Sequence, residues 1–186
     1  MLSRRSLLSA AALAMSASAA RSAAVLSDDG LYIQPWFLQS LLELGDDLSG
    51  AAEKRKRFAI VWELKGCPYC KDIHLINFAR PEIENYVKDR FDILQLNMIG
   101  SREVVDFDGE KLPEKRLAEK YGVRFTPTFQ FFPEVLDGLA KKKPRDRELM
   151  RSQGYLEPRQ FLATFRYVAE RAYEKGTLAD FLKRGG

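Results

Sequence analysis

Two cysteines separated by two residues are the clearest chemical signal in this chain. Cys67 and Cys70 are the only cysteines among 186 residues. They follow a continuous apolar run, Phe58 to Trp62, and precede apolar residues at helical spacing. The pattern predicts a buried strand, a turn at Gly66 and a helix with Pro68 in its first turn. A thiol at the start of a helix faces free N–H groups and the positive end of the helix dipole, which favour the thiolate.

The thiolate is the nucleophile in thiol–disulfide exchange, so this placement predicts Cys67 as the attacking sulfur. Cys70 lies one turn further into the predicted helix, which suits a resolving thiol. A purely structural disulfide is a weaker interpretation, because so small a loop constrains the unfolded chain very little. Half of a zinc site is also weaker, since the sequence has no second cysteine pair to complete it. The pair is therefore predicted to be redox-active.

The first residues are typical of an export signal. Arg4 and Arg5 precede a mildly apolar run, and Ala17-Ser18-Ala19 is typical of a cleavage site. We predict a signal peptide over residues 1–24, either of the twin-arginine type or of the general secretory type. An uncleaved anchor is disfavoured because the run is too short and too rich in Ser to span a bilayer. Export predicts a periplasmic protein, in an oxidising compartment where the cysteine pair can close.

The charge of the chain does not indicate a nucleic-acid partner. The formal net charge is +4, and a chain cut after Ala19 loses Arg4 and Arg5 and carries +4 − 2 = +2. We therefore predict no nucleic-acid surface. The expected protein is a monomer that works without a cofactor or a bound metal.

The segment after the signal is predicted to be helical. Pro35 precedes Trp36, Phe37 and several leucines at helix-like spacings. We predict an N-terminal helical extension over residues 25–56, packed on the core with Trp36 or Phe37 as its anchor.

The remaining pattern alternates strands and helices and predicts an α/β domain over residues 57–176. Its later parts are a strand at 91–98, a hairpin around Asp108-Gly109, a helix at 113–121 and a β-rich run at 124–132 that contains Thr126-Pro127. A strand at 148–155 and a long helix after Pro158 follow. Residues 177–186 are predicted to be a C-terminal short helix and tail.

This order resembles the thioredoxin fold, a central mixed sheet flanked by helices. Two landmarks support the resemblance beyond the cysteine motif: the segment from Tyr121 to Thr128 and the segment from Gly154 to Leu156 before the last long helix. The resemblance implies that Cys67 is the nucleophile, that Cys70 resolves and that Pro127 is a cis-proline facing the sulfurs.

The resemblance also implies a substrate-binding surface made by Pro68, Tyr69 and the backbone of Thr126. An extended substrate segment would pair with that backbone as an added strand. Pro68-Tyr69 is the dipeptide of many glutaredoxins as well, although no glutathione site is evident in the sequence.

One position departs from the family pattern. Many thioredoxin relatives carry an acidic residue six positions before the first cysteine, which relays protons to the second thiol, and here that residue is Val61. Glu63, or a bound water, is the predicted replacement. His74 follows Cys70 by one helical turn and is either a titratable neighbour that tunes the thiolate or, more simply, a helix-surface histidine without a role.

More narrowly, the chain resembles the periplasmic thioredoxins of bacterial sulfur-oxidation (Sox) systems, the SoxW type. The matching segments are Gly66–Lys71, Asn77–Ile83, Gly100–Val104 and Phe165–Glu170, together with the Trp36-Phe37-Leu38 extension. This resemblance implies a reductant of disulfides or persulfides that receives electrons from a membrane thiol transporter. Its partner would be a protein with a reactive cysteine, such as a Sox sulfur carrier.

Other functions use the same residues. A disulfide oxidant, an isomerase and a glutaredoxin-like enzyme share the motif, and the sequence does not give the direction of exchange. A different class is a metal chaperone in which Cys67, Cys70 and His74 bind Cu(I) or zinc. The missing fourth ligand and the small number of methionines disfavour it.

Overall fold

The computed structural model describes residues 23–185. The predicted signal peptide therefore lies outside the described residues, apart from Ala23 and Ala24. Within the described part, no helix combines the length and apolar character needed to cross a membrane.

The described chain contains eight strands and six α-helices. In order they are β1 (Val25–Leu26), β2 (Tyr32–Ile33), α1 (Leu44–Glu53), β3 (Arg57–Glu63), α2 (Pro68–Asp72), α3 (Pro81–Arg90), β4 (Phe91–Asn97), β5 (Glu103–Val105), β6 (Lys111–Pro113), α4 (Glu114–Lys120), β7 (Thr128–Phe131), β8 (Met150–Gln153), α5 (Pro158–Ala169) and α6 (Leu178–Lys183). A π-helical turn, Ile73–Asn77, continues α2. Short 3-10 turns lie between β7 and β8 and after α5.

The central sheet has the strand order β4-β3-β7-β8. β3 is parallel to β4, with Ala59 opposite Ile93, and antiparallel to β7, with Val61 opposite Phe129. All seven residues of β3 are buried, because the sheet is covered on both faces. This is the mixed sheet flanked by helices that the resemblance implies, so the predicted α/β class is confirmed.

Successive residues of β3 point into two different cores. Ala59 and Val61 enter a phenylalanine-rich core shared with α3, α5 and the π-helical turn. Phe58, Ile60 and Trp62 enter a second core shared with α1 and α4. The two-residue period of a strand therefore puts Glu63 on the same face as Val61, one step closer to the cysteines.

The helix predicted from Pro35 onward is wrong in its position. β1 and β2 form a small hairpin, residues 34–43 are irregular, and the helix begins only at Leu44. The reason is tertiary: the Leu38 N–H donates to Ile93 O on the outer edge of β4 at 2.9 Å, and Leu42 adopts a left-handed φ of 65°. Backbone that satisfies the edge of a sheet cannot also be helical.

The predicted anchor of this N-terminal segment (residues 23–43) is confirmed. Phe37 is only 4% exposed and contacts Phe78 at 5.7 Å between ring centroids. Trp36 is partly buried against the same core. The predicted hairpin, α4 and the final short helix also form, whereas the strand predicted at 148–155 is shorter, Met150–Gln153.

Replacing Phe37 with Ala tests this anchor. We expect Phe37→Ala to lower the free energy of unfolding by about 3–5 kcal/mol, the range for removing a buried phenylalanine side chain. Leu41, in the same segment, is 94% exposed and provides the control, since Leu41→Ala should change stability by less than about 0.5 kcal/mol. Urea unfolding followed by circular dichroism measures both. Equal effects of the two variants would contradict the anchoring role.

Candidate active site

The cysteine motif forms the junction between β3 and α2. Gly66 takes a left-handed φ of 77° in the turn, and Cys67 is the N-cap of α2 with extended backbone angles. Pro68 occupies the first helical turn, as predicted. The Cys70 N–H donates to Cys67 Sγ at 3.1 Å, so the helix start is directed at this sulfur.

The two cysteines form a disulfide with their Cα atoms 5.3 Å apart. Cys70 is 4% exposed, whereas Cys67 is half-buried. A partner molecule can therefore reach the sulfur of Cys67 and not that of Cys70. This difference in access agrees with the roles predicted for the two residues.

A second loop, which leads into β7, lies against the motif. The Thr126–Pro127 peptide bond is cis, as the resemblance implies, and Thr126 O lies 3.6 Å from Cys67 Sγ. Pro127 O accepts a hydrogen bond from the Gly154 N–H at 2.8 Å, which ties the loop to the end of β8. Phe125, beside it, is 63% exposed.

Tyr69 extends this surface by stacking on a residue that the motif did not reveal. Its ring is stacked on that of Tyr155 with centroids 6.0 Å apart. The Tyr155 hydroxyl donates to Asn77 Oδ1 at 3.2 Å, and Asn77 Nδ2 donates to Leu156 O at 2.9 Å. Burial raises the pKa of Tyr155, so this hydroxyl stays protonated and keeps its donor role.

His74 is not on the helix surface, and that interpretation of the sequence is wrong. It is 1% exposed and so is Glu63. His74 Nε2 lies 2.9 Å from Glu63 Oε1. His74 follows the buried Cys70 by four residues, about one helical turn, so its ring lies on the same inward face, against the end of β3.

Every polar atom of the Glu63 and His74 side chains has a partner. Glu63 Oε2 accepts from Gln95 Nε2 at 2.7 Å, and the same amide nitrogen donates to Tyr32 O. Gln34 Nε2 lies 3.3 Å from His74 Nδ1. An amide nitrogen donates only, so Nδ1 accepts and the ring proton resides on Nε2, which donates to Glu63.

The cysteines of the motif and Glu63 line the same cleft, which has a volume of about 430 Å³. It is lined by Cys67, Cys70 and Glu63 on one side and by the β1–β2 hairpin on the other. The sulfurs and the buried carboxylate therefore share one cavity, while Val61, at the position where many relatives carry the acid, is fully buried in the apolar core.

Sequence reasoning placed Glu63 and His74 among the candidates but missed their partners. Gln34 and Gln95, and Tyr155 behind Tyr69, are ordinary polar residues at least 25 positions from the nearest cysteine of the motif, and no local pattern marks them. In the described part of the chain, no set of three His, Cys, Asp or Glu residues is arranged to hold a metal ion. Both nitrogens of His74 are already in hydrogen bonds.

The fold and this site define a thiol–disulfide exchange protein: a reachable sulfur at a helix start, a shielded second sulfur and a cis-proline loop beside them. Residues 44–169 match the thioredoxin-like domain family, and the chain belongs to that family. It is a thiol–disulfide oxidoreductase with Cys67 and Cys70 as its redox pair.

Two solved structures show the same fold. One is a thioredoxin-fold protein from Helicobacter pylori, 20% identical over 74% of this chain and 96% of its own, with a TM-score of 0.53. The other is a thioredoxin from Thermus thermophilus, 21% identical over 71% of this chain and 88% of its own, with a TM-score of 0.50. A comparison with curated proteins found no match.

Single substitutions of the two cysteines separate their roles. We expect Cys67→Ser to abolish disulfide exchange, because the reachable sulfur is lost. Cys70→Ser should instead accumulate a mixed disulfide between Cys67 and the substrate, because the resolving thiol is lost. Mass spectrometry of acid-quenched reactions with a disulfide-bonded protein measures both. A mixed disulfide trapped by Cys67→Ser would contradict the assignment.

Proposed function

We propose that this protein is an exported reductant that transfers electrons from its dithiol to a disulfide or persulfide on a periplasmic partner protein. The observation that carries the proposal is the unequal access of the two sulfurs, with Cys67 reachable at the helix start and Cys70 shielded in the cleft that Glu63 also lines. The export pattern of residues 1–24 and the resemblance to the thioredoxins of sulfur-oxidation systems support the compartment and the direction.

The reaction proceeds in two balanced steps. The Cys67 thiolate attacks one sulfur of the substrate disulfide, a Cys67–substrate bond forms, and the other substrate sulfur leaves as a thiolate. Cys70 then loses its proton and attacks Cys67 Sγ, so the second substrate sulfur leaves and the Cys67–Cys70 disulfide closes. Two electrons pass from the dithiol to the substrate, and the two thiolates released take up protons.

The substrate is held next to Cys67 by two surfaces. The backbone of Thr126 pairs with an extended substrate segment, and Pro68 with the exposed ring of Tyr69 forms the neighbouring wall. Asn77 holds Tyr155 behind Tyr69, so the stacked ring keeps its orientation when a substrate arrives.

Glu63 takes the proton from Cys70 in the second step. Its carboxylate lines the same cleft as Cys70, and His74 and Gln95 hold it in place. It thereby replaces the acid that Val61 does not provide. The proton leaves to solvent through the cleft after the substrate has been released.

The partner that oxidises the protein is a protein with a reactive cysteine, for which a sulfur carrier of a Sox system is the proposed example. A membrane thiol transporter regenerates the dithiol, since an oxidising compartment supplies no reductant of its own. No cofactor takes part in this scheme.

Removing the charge of Glu63 tests its role. We expect Glu63→Gln to slow the resolution of a Cys67 mixed disulfide by about 100-fold, the lower range for a lost general base, and to slow the first attack much less. Stopped-flow kinetics with a fluorescent disulfide substrate resolves the two steps. Glu82→Gln, on the exposed start of α3, is the control and should change neither. Equal slowing of both steps would indicate a structural effect and contradict the proposal.

The reduction potential decides the direction of exchange. The helix start stabilises the Cys67 thiolate, and we expect a potential between that of thioredoxin, about −270 mV, and that of glutaredoxins, about −200 to −230 mV. Equilibration of the Cys67–Cys70 pair with glutathione buffers measures it. A value near −120 mV, that of a strong oxidant, would make the protein a disulfide donor and overturn the reductant role.

One experiment in cells tests compartment and redox state together. Periplasmic protein, acid-quenched and alkylated, should lack its first ~19–24 residues and carry two alkyl groups on the cysteine pair. Arg4→Lys with Arg5→Lys blocks export only on the twin-arginine route. An uncleaved chain in the cytoplasm, or a fully oxidised pair in the periplasm, would contradict the proposal.

A further inference from the structure

One wall of the cleft beside the disulfide comes from a part of the chain that the family domain does not include. Leu26, Leu31 and Tyr32 of the N-terminal segment form one wall, opposite Cys67 and Pro68. The family match begins at residue 44, so this wall is added to the common fold. It widens the contact surface of the site away from the Thr126 loop.

The rim of the cleft carries two exposed lysines. Lys65 and Lys71 both line it, and among residues 23–185 neither has a carboxylate within ion-pair distance. The stem of Lys65 lies across Gly30, where an added Cβ would be 2.9 Å from Lys65 Cε. The hairpin turn therefore keeps this ammonium group at the edge of the cleft.

The floor of the cleft has the opposite sign. Glu63 lies there with both of its oxygens in hydrogen bonds to His74 and Gln95. An anionic group would be repelled by this carboxylate if it entered deeply, and it would be attracted by the two lysines if it stayed at the rim. The walls between are apolar, so the cleft accepts an apolar side chain inward and a carboxylate outward.

We propose that this cleft binds the segment of the partner protein next to its reacting cysteine, and that it selects a segment with an apolar side chain followed by an acidic one. The inference rests on the proposed function and adds the class of substrate. The partner's apolar side chain packs between Leu26, Leu31 and Pro68, and its carboxylate pairs with Lys65 and Lys71. The N-terminal segment thereby determines which partner protein is bound, while the residues of the family domain carry out the exchange reaction.

Three synthetic peptides test the inference. Each carries one cysteine blocked as a methyl disulfide and followed by Leu-Glu, Leu-Lys or Ser-Glu. We expect the reduced protein to react with the Leu-Glu peptide about fivefold faster than with either of the others, an effect the size of one well-placed, partly exposed ion pair or a partly buried side chain. Single-turnover kinetics of the full mature chain measures the rates.

Variants locate the preference in the cleft. Lys65→Glu with Lys71→Glu should reverse the ratio of the Leu-Glu rate to the Leu-Lys rate, and Leu26→Ser should reduce the advantage of Leu-Glu over Ser-Glu. Lys175→Glu, at an exposed lysine after α5 that does not line the cleft, is the charge control and should leave both ratios unchanged. Ratios within one variant cancel any change that the substitution makes to the thiol itself.

A neutral substrate distinguishes the proposed exchange activity from the inferred preference for the segment that flanks the cysteine. Bis(2-hydroxyethyl) disulfide has neither charge nor a flanking segment, and reduction of it reports the exchange chemistry alone. Equal peptide rates, or a preference for the Leu-Lys peptide, together with reduction of the neutral disulfide would overturn the inference and leave the proposed function intact. Failure to reduce the neutral disulfide would overturn the proposed function itself.

Discussion

The burial of one carboxylate, that of Glu63, links the parts of this structure that meet at the disulfide. A carboxylate withdrawn from water is strongly destabilising unless it is paired and hydrogen-bonded. Its partners come from the turn after the cysteine helix, through His74, and from the neighbouring strand, through Gln95. The N-terminal segment completes the set, since Gln34 contacts His74 and Tyr32 O binds Gln95. A change in any of these elements therefore alters the surroundings of the Cys67–Cys70 pair.

The local sequence pattern correctly predicted those elements that are determined by contacts between residues close in the sequence. β3 followed from an unbroken apolar run, and the start of α2 followed from Gly66, Cys67 and Pro68, each of which acts within a few residues. The cis bond before Pro127 followed from the family resemblance and not from periodicity. In these cases the determining contacts join residues that are close in the sequence, or they are common to every member of the fold.

The predictions that were wrong concern residues whose determining contacts are with residues far away in the sequence. Residues 36–48 have helical spacing, yet their backbone near Leu38 satisfies the edge of β4 instead. The surface interpretation of His74 is wrong because Glu63 and Gln34, the latter 40 positions away, satisfy both of its ring nitrogens in the interior. Both outcomes depend on partners tens of residues away, which propensity does not register. The same limit hid Tyr155, whose stacking on Tyr69 joins residues 86 positions apart.

The two tryptophans of the chain lie on opposite faces of the sheet. Trp62 is fully buried in the core shared with α1 and α4. Trp36 belongs to the N-terminal segment and contacts Phe37 and Phe78 edge-on, with centroids 4.8 and 5.2 Å apart. Indole emission responds to the polarity around the ring, so the protein carries two built-in optical probes. Trp36 reports whether the N-terminal segment is seated against the core, and Trp62 reports the opposite side of the domain independently.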